Sequence, residues 1–114
     1  MAVGSLLLGA ACLPAQAQIG SSTPVRIGVV GPFTGPSADF GVPMLNGIKL
    51  AVDEMNAVGG YLGRPLELVV KDDAADPDQG RKVSQELLKE KVVAAIGFCN
   101  TGVAMKAIDL FQDT

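Results

Sequence analysis

The 114-residue sequence contains no histidine and no tryptophan, and it has only one tyrosine and two cysteines. Without histidine the chain lacks the side chain that most often serves as a general base and as a transition-metal ligand. Two cysteines, Cys12 and Cys99, are too few for a disulfide scaffold or a zinc site. We therefore expect neither a bound metal nor another cofactor.

The chain also lacks an excess of basic residues, because 9 lysines and arginines stand against 12 acidic residues. A net charge of −3 without a basic run gives no electrostatic reason to bind nucleic acid. A nucleic-acid partner is therefore not expected. The length suits about one small domain.

Residues 1–17 have the pattern of a secretory signal peptide. An apolar core at 6–11 is followed by Pro14 and by the small-x-small triplet 15–17, which predicts cleavage before Gln18. No basic residue precedes the core, so the translation start could lie upstream. A short N-terminal helix packed on the domain is the alternative. Residues 18–24 are polar and predict a flexible leader, and export would place the protein in the oxidising periplasm.

The two cysteines are expected to have different roles. Cys12 would carry a lipid if the chain were a lipoprotein, but Gly9 stands where that signal would have a larger apolar residue. Removal of the signal peptide leaves Cys99 as the only thiol. With no histidine to activate it, we interpret Cys99 as a small buried core residue.

Residues 25–60 are organised as a strand, a loop and a helix. Residues 25–31 are β-branched and almost uniformly apolar, which is typical of a strand covered on both faces. Residues 32–40 are rich in glycine and proline and predict a loop. The helix is predicted to begin near 41–43, with Pro43 in its first turn, and to end at a glycine pair. Its expected apolar stripe is Leu45, Ile48, Val52 and Met55.

Two further strand–helix pairs follow. Residues 66–71 and 92–97 predict strands. Asp76-Pro77-Asp78-Gln79 combines an N-cap, a first-turn proline and a capping-box residue, and predicts a helix to about Lys91. A last helix is predicted from near Thr101, with these residues facing inward: Val103, Ala107, Ile108 and Phe111.

This alternation predicts an α/β fold of the three-layer, Rossmann-like kind. Crossovers between parallel strands are right-handed in nearly all cases, so the expected sheet is parallel with strand order 2-1-3. The outer edge of the third strand, residues 92–96, is expected to be open, and the lobe to be incomplete. Ligands of open α/β sheets bind beyond the carboxyl ends of the strands, so loops 32–40 and 98–102 are expected to hold the site.

Two kinds of chemistry at that edge are disfavoured. The glycines around the first loop do not form G-x-G-x-x-G, and Pro32 occupies the turn where a backbone N–H should face a pyrophosphate. Asp72 and Asp73 are adjacent on a strand, so their side chains point to opposite faces and are poorly placed to share one substrate proton. We interpret both carboxylates as solvating the strand end.

A third chemistry is anion binding at the last helix. Asn100, Thr101 and Gly102 lie between a strand and a helix N-terminus, where free N–H groups and the helix dipole favour a carboxylate. Plain N-capping by Asn100 or Thr101 is the alternative. The anion interpretation gains support because this loop and residues 32–40 leave neighbouring strands at one edge.

Four stretches together resemble the leucine/isoleucine/valine-binding family, the type I periplasmic binding proteins of ABC importers. They cover nearly all of residues 25–105 and read IGVVGPFTGPSADFG, LNGIKLAVDEMNAVGGYLGRPLELV, KDDAADPDQG and IGFCNTGVA. The resemblance implies a two-lobed exported receptor, not an enzyme, that binds a branched-chain or related amino acid and presents it to a membrane permease. Residues 25–114 would form the N-terminal part of its first lobe.

The resemblance also implies site residues. Phe40 matches the aromatic position that packs on the ligand, and Thr101 matches the hydroxyl residue that binds the ligand α-carboxylate, with Asn100 and Gly102 beside it. Some members pair cysteines at the positions of Ala75 and Asn100, and this chain has neither. Family members continue into a second lobe, so the ligand α-amino group and side chain would be held mainly by parts outside this sequence.

Two other functions stay open at this point. The extracellular sensing domain of a receptor could use the same fold, and it would need a transmembrane helix after the binding lobes. A nucleotide-dependent oxidoreductase is disfavoured by the export signal, the missing histidine and the broken glycine pattern.

Export can be tested at the N-terminus. In a Gram-negative host, with any missing upstream region restored, the mature protein should begin at Gln18, because the triplet before it has the small residues that signal peptidase requires. N-terminal sequencing of the secreted fraction measures this. A cytoplasmic product that retains Met1 would contradict it.

Overall fold

The computed structural model describes residues 23–112, so the predicted signal peptide and most of the leader lie outside the described residues. None of the helices in that range combines the length and the apolar content that a membrane-spanning segment needs. The elements are β1 (Val25–Gly31), α1 (Ala38–Ala57), β2 (Leu66–Asp72), α2 (Pro77–Lys89), β3 (Ala94–Ile96) and α3 (Thr101–Ala107), followed by a 3₁₀ turn at Ile108–Phe111.

The three strands form one parallel sheet in the order β2-β1-β3. β1 pairs with β2 along its full length, from Val25 opposite Leu66 to Gly31 opposite Asp72. It pairs with β3 over three residues, from Ile27 opposite Ala94 onward. The α/β fold and the predicted strand order are therefore confirmed.

The helices cover the sheet from two sides. α1 packs against β1 and β2, whereas α2 packs against the same strands and against α3. Right-handed crossovers place α1 on one face and α2 on the other, and α3 packs beside α2. The core under α2 is a cluster of Val30, Val83 and Leu87, and the half-buried side chains packed on it are Val69, Val92 and Phe98.

Two predicted boundaries were wrong. α1 begins at Ala38, so residues 38–40 are helical and Pro43 lies in the second turn rather than the first. The turn at 35–37 leads directly into the helix, because the Ala38 N–H donates to the Gly35 carbonyl and the Gly41 N–H then donates to the Ser37 carbonyl. β3 is shorter than predicted at both ends, because β1 pairs with it only from Ile27 to Val29.

The predicted start of α2 is confirmed in its main feature. Asp76 is the N-cap, with an extended backbone, and its Oδ1 accepts a hydrogen bond from the Gln79 N–H at 2.7 Å. The reciprocal half of a capping box does not form, because the Asp76 N–H donates to the Asp73 carbonyl at 2.8 Å. The Gln79 side chain turns instead to the Asp72 carbonyl at 3.5 Å.

The predicted inward faces are only partly buried. In α3, Val103 and Ala107 are fully buried, whereas Ile108 is exposed and Phe111 packs on Phe98 with the ring centroids 6.2 Å apart. In α1, the stripe positions up to 52 are half-buried and Met55 is exposed.

The outer edge of β3 is open, as predicted. All three residues of the strand are exposed, and Val93 beside them is 68% exposed. An apolar groove lies between this edge and the 3₁₀ turn, with Leu88, Val92, Phe98 and Phe111 among its lining residues. An uncharged apolar edge with free backbone groups is the kind that recruits other chains.

This edge predicts self-association of residues 18–114, the chain that remains after cleavage of the predicted signal peptide. Val93→Lys should reduce the association, because a lysine on an edge strand opposes pairing with another chain. Leu50→Lys, on α1 at 60% exposure, is the matched control and should have no such effect. Size-exclusion chromatography over a concentration series measures it. A wild-type chain that stays monomeric throughout would contradict the prediction.

Candidate functional site

Three loops leave the same edge of the sheet. Because the strands are parallel and Gly31 lies opposite Asp72, the loops after β1 and β2 start side by side. The loop after β3 starts two registers lower, since Ile96 lies opposite Val29. Ligand sites of open parallel sheets form where such loops meet.

Asp72 ties the first of these loops to the second. Its carboxylate accepts hydrogen bonds from the Phe33 N–H at 2.9 Å, the Thr34 hydroxyl at 2.6 Å and the Ala74 N–H at 2.9 Å. Desolvation is the largest influence on its pKa and acts to raise it. The hydrogen bonds outweigh that effect and hold the pKa of Asp72 below its ordinary value.

Asp73 lies in a different environment from its neighbour. Its side chain is fully buried, and Oδ1 accepts one hydrogen bond from the Ala75 N–H at 2.8 Å. Burial, helped by the charge of Asp72 and opposed by the Ala75 N–H, raises the pKa of Asp73. The expectation that both carboxylates solvate the strand end was wrong for Asp73, because α2 and α3 cover it.

The two carboxylates also hold a strained turn. Ala74 and Ala75 have φ of 49° and 59°, the left-handed region, which costs an L-residue roughly 1–2 kcal/mol each. Their N–H groups are the ones bound by Asp72 and Asp73. This turn was not predicted from the sequence. The available signal was the tendency of aspartate to bind the backbone two residues on.

The first half of α1 lies close to the same edge. Gly41 is buried against Pro32, and a Cβ at position 41 would collide with the Pro32 carbonyl oxygen. One turn further on, Met44 reaches the loop after β3, where the Cys99 thiol donates to its sulfur at 3.6 Å. Phe40 precedes Met44 by one helical turn, and its ring is 73% exposed.

Asn100, Thr101 and Gly102 form the start of α3. Asn100 is the N-cap residue by its backbone, with φ −102° and ψ 128°, but its side chain makes no capping hydrogen bond. Its Oδ1 is buried without a hydrogen-bond partner among the described residues. Thr101 and Gly102 are exposed, so a hydroxyl and the first N–H groups of the helix are presented at this edge.

Cys99 is exposed, so its interpretation as a buried core residue was wrong. The reason is its position in the loop beyond β3 rather than in the strand. Partial desolvation by its neighbours, and then the charge of Asp73, raise the pKa of the thiol. An elevated pKa keeps the thiol protonated and weakly nucleophilic.

The structure thus places the four predicted site residues at one edge of the sheet. They offer an aromatic ring, a hydroxyl and helix-start N–H groups, a set suited to holding a carboxylate next to apolar surface. Asp72 is engaged in hydrogen bonds and Asp73 is buried, so neither presents a free acid–base group. Within residues 23–112 no cluster of three or more potential metal-ligating side chains occurs.

The sequence profile of the periplasmic binding protein family matches residues 24–114. The Leu/Ile/Val-binding protein homolog 2 of Brucella abortus is 38% identical over 104 residues, which are 90% of this chain and 28% of that protein. The Leu/Ile/Val-binding protein of Escherichia coli K12 is 30% identical over 110 residues, 96% of this chain and 30% of the relative. The chain therefore spans less than a third of the length of these relatives.

Solved structures of substrate-binding proteins share the fold. The branched-chain amino acid transporter substrate binding protein LivJ of Streptococcus pneumoniae, in complex with isoleucine, has a TM-score of 0.74 and 32% identity, covering 76% of this chain and 25% of that one. The solute binding protein of an R. palustris ABC transporter, in complex with benzoate, has a TM-score of 0.71 and 26% identity, covering 79% and 25%. A fatty acid ABC transporter substrate-binding protein from Thermomonospora curvata has a TM-score of 0.74 and 26% identity, covering 79% and 23%.

Proposed function

Since this chain belongs to the periplasmic binding protein family, we propose that it forms the part of an exported solute-binding protein that holds the carboxylate of an amino acid. The observation that carries the proposal is the start of α3, where Thr101 and Gly102 are exposed at the edge at which Phe40 also lies. A carboxylate there would accept hydrogen bonds from the Thr101 hydroxyl and from helix-start N–H groups, and the positive end of the short helix would favour its charge.

The ligands of similar proteins support a carboxylate as the group that this chain contacts. Two of the similar structures have isoleucine and benzoate bound, and these ligands share a carboxylate although the rest of each molecule differs. The fatty acid in the name of a third protein also carries a carboxylate. If this part of the fold contained a common carboxylate site, proteins with the same fold would bind ligands that share a carboxylate and differ elsewhere. The rest of the ligand would be selected mainly by parts of the protein outside this sequence.

Among carboxylates, we propose a branched-chain or related amino acid. The curated relatives at 30–38% identity are named for binding leucine, isoleucine and valine. The exposed ring of Phe40 and the sulfur pair of Met44 and Cys99 give the edge an apolar character that suits such side chains. The partner would be the membrane permease of an ABC importer, and the compartment the periplasm.

Binding without catalysis agrees with the chemistry of the site. A general acid or base needs a side chain that reaches the substrate with a pKa near the working pH. Asp72 is held below its ordinary pKa by three donors, and Asp73 is enclosed by the core. The Cys99 thiol has a raised pKa and no histidine beside it.

The carboxylate role of Thr101 can be tested in a protein that carries this sequence together with the second lobe. Thr101→Val should weaken amino-acid binding by roughly 1–3 kcal/mol, because a charged buried acceptor would lose one hydrogen bond. Thr101→Ser should restore it. Phe40→Ala should also weaken binding, through lost apolar contact and entry of water. Isothermal titration calorimetry with leucine, isoleucine and valine measures all three variants.

Thr23→Val is the matched control, since it removes the same hydroxyl at the opposite end of the sheet. It should leave the affinity unchanged. Equal affinities of Thr101→Val and the wild type would refute the carboxylate role of Thr101.

A further inference from the structure

A buried glycine of α2 lies where α2 meets α3. Gly80 is the fourth residue of α2, and the side chain of Val103 in α3 occupies the space that a side chain at position 80 would take. A methyl group there would overlap the Val103 Cγ1 atom, whereas its distance to the Asp73 Cβ would be an ordinary 3.6 Å. Glycine weakens a helix interior relative to alanine, so helix propensity does not favour it at this position. The missing side chain is what allows the two helices to approach so closely.

Val103 has little freedom to move away from Gly80. Its side chain is fully buried. Valine is β-branched and takes one strongly preferred rotamer in a helix, and close-packed surroundings leave no space for another. A bulkier residue at position 80 must therefore push the start of α3 away from α2 or force Val103 out of its preferred rotamer.

The two ends of α3 are held in different ways. α3 has seven residues, too few to be stable as an isolated helix, so its position depends on its contacts. In the 3₁₀ turn that follows it, Asp109 accepts two hydrogen bonds from Arg81 of α2, at 2.8 Å and 3.2 Å. At its start, the N-cap residue Asn100 makes no side-chain capping hydrogen bond. An ion pair therefore holds the far end, whereas the end that carries Thr101 depends on packing.

We infer that Gly80 and Val103 are positioning residues for Thr101, because their contact sets the distance between α2 and the first turn of α3. Val103 and Thr101 lie within one helical turn, so a displacement of the first moves the second. Val103 is fully buried and Gly80 has no side chain, so both act on a ligand only through Thr101. The effect on affinity rests on the proposed carboxylate site, but the effect on the position of Thr101 does not.

Gly80→Ala is the direct test, in a protein that carries this sequence together with the second lobe. The added methyl group should displace Thr101 and weaken leucine binding by about tenfold, the scale of one impaired hydrogen bond to a charged group. Gly47→Ala is the matched control, because nothing lies within 4 Å of a Cβ at that position of α1. It should leave both the position of Thr101 and the affinity unchanged.

Gly80→Ala/Val103→Ala separates positioning from stability. Without the Val103 methyl groups, the atom nearest to a Cβ at position 80 is the residue 103 Cβ at 3.5 Å, an ordinary contact. Thr101 should return to its place, and the affinity should recover. The double variant and Val103→Ala should both melt below the wild type, because each loses buried apolar atoms. Recovered affinity at reduced stability is a result that a purely stabilising contact would not give.

Crystal structures, calorimetric titration with leucine and thermal unfolding are compared for the wild type and these variants. The Thr101 Cα should move away from α2 in Gly80→Ala and return in the double variant. A Gly80→Ala structure with Thr101 in its wild-type place would overturn the inference, and so would a double variant that keeps the displacement. If Gly80→Ala does not fold, the double variant decides: wild-type placement of Thr101 supports the inference, and misplacement or failure to fold overturns it. Displacement of Thr101 without loss of affinity would count against the proposed function and leave the positioning role supported.

Discussion

β1 exchanges backbone hydrogen bonds with β2 along its whole length and with β3 over three residues, and this parallel pairing fixes where the other parts lie. Parallel strands send their following loops to one edge, so the loops after all three strands meet there. The right-handed crossovers then place α1 on one face and α2 on the other, with α3 packed on α2. A slip of one residue in β1 would move Val30 out of the core and Asp72 away from the Phe33 N–H.

The two adjacent carboxylates at the end of β2 contact different parts of the structure at that edge. Asp72 faces the loop after β1 and is stabilised in its charged form by donors from both loops. Asp73 faces α2 and α3, where the same charge would be costly. Both bind the left-handed alanines that follow, so a strained turn is held from two sides. Alternation of side chains along a strand is what lets neighbouring residues meet such different environments.

The strand order, the existence of all six main elements and the N-cap Asp76 could be predicted from the sequence, because periodicity and capping residues act locally. The start of α1 could not, since the turn at 35–37 and the close packing of Gly41 on Pro32 depend on β1. The location of Phe40 and Thr101 at one edge of the sheet could be predicted from the strand topology. The burial of Asp73 and the exposure of Cys99 could not be predicted, because each depends on how α2 and α3 pack against the loops.

We propose that the carboxyl edge of this sheet binds an amino acid through its carboxylate. Amide chemical-shift mapping with isoleucine, in a protein that carries this sequence together with the second lobe, tests it directly. We expect that, within this sequence, the largest changes fall on residues 100–102 and on Phe40. Changes concentrated at the amino edge, around Arg26, Arg64 and Glu67, with none at residues 100–102, would contradict it.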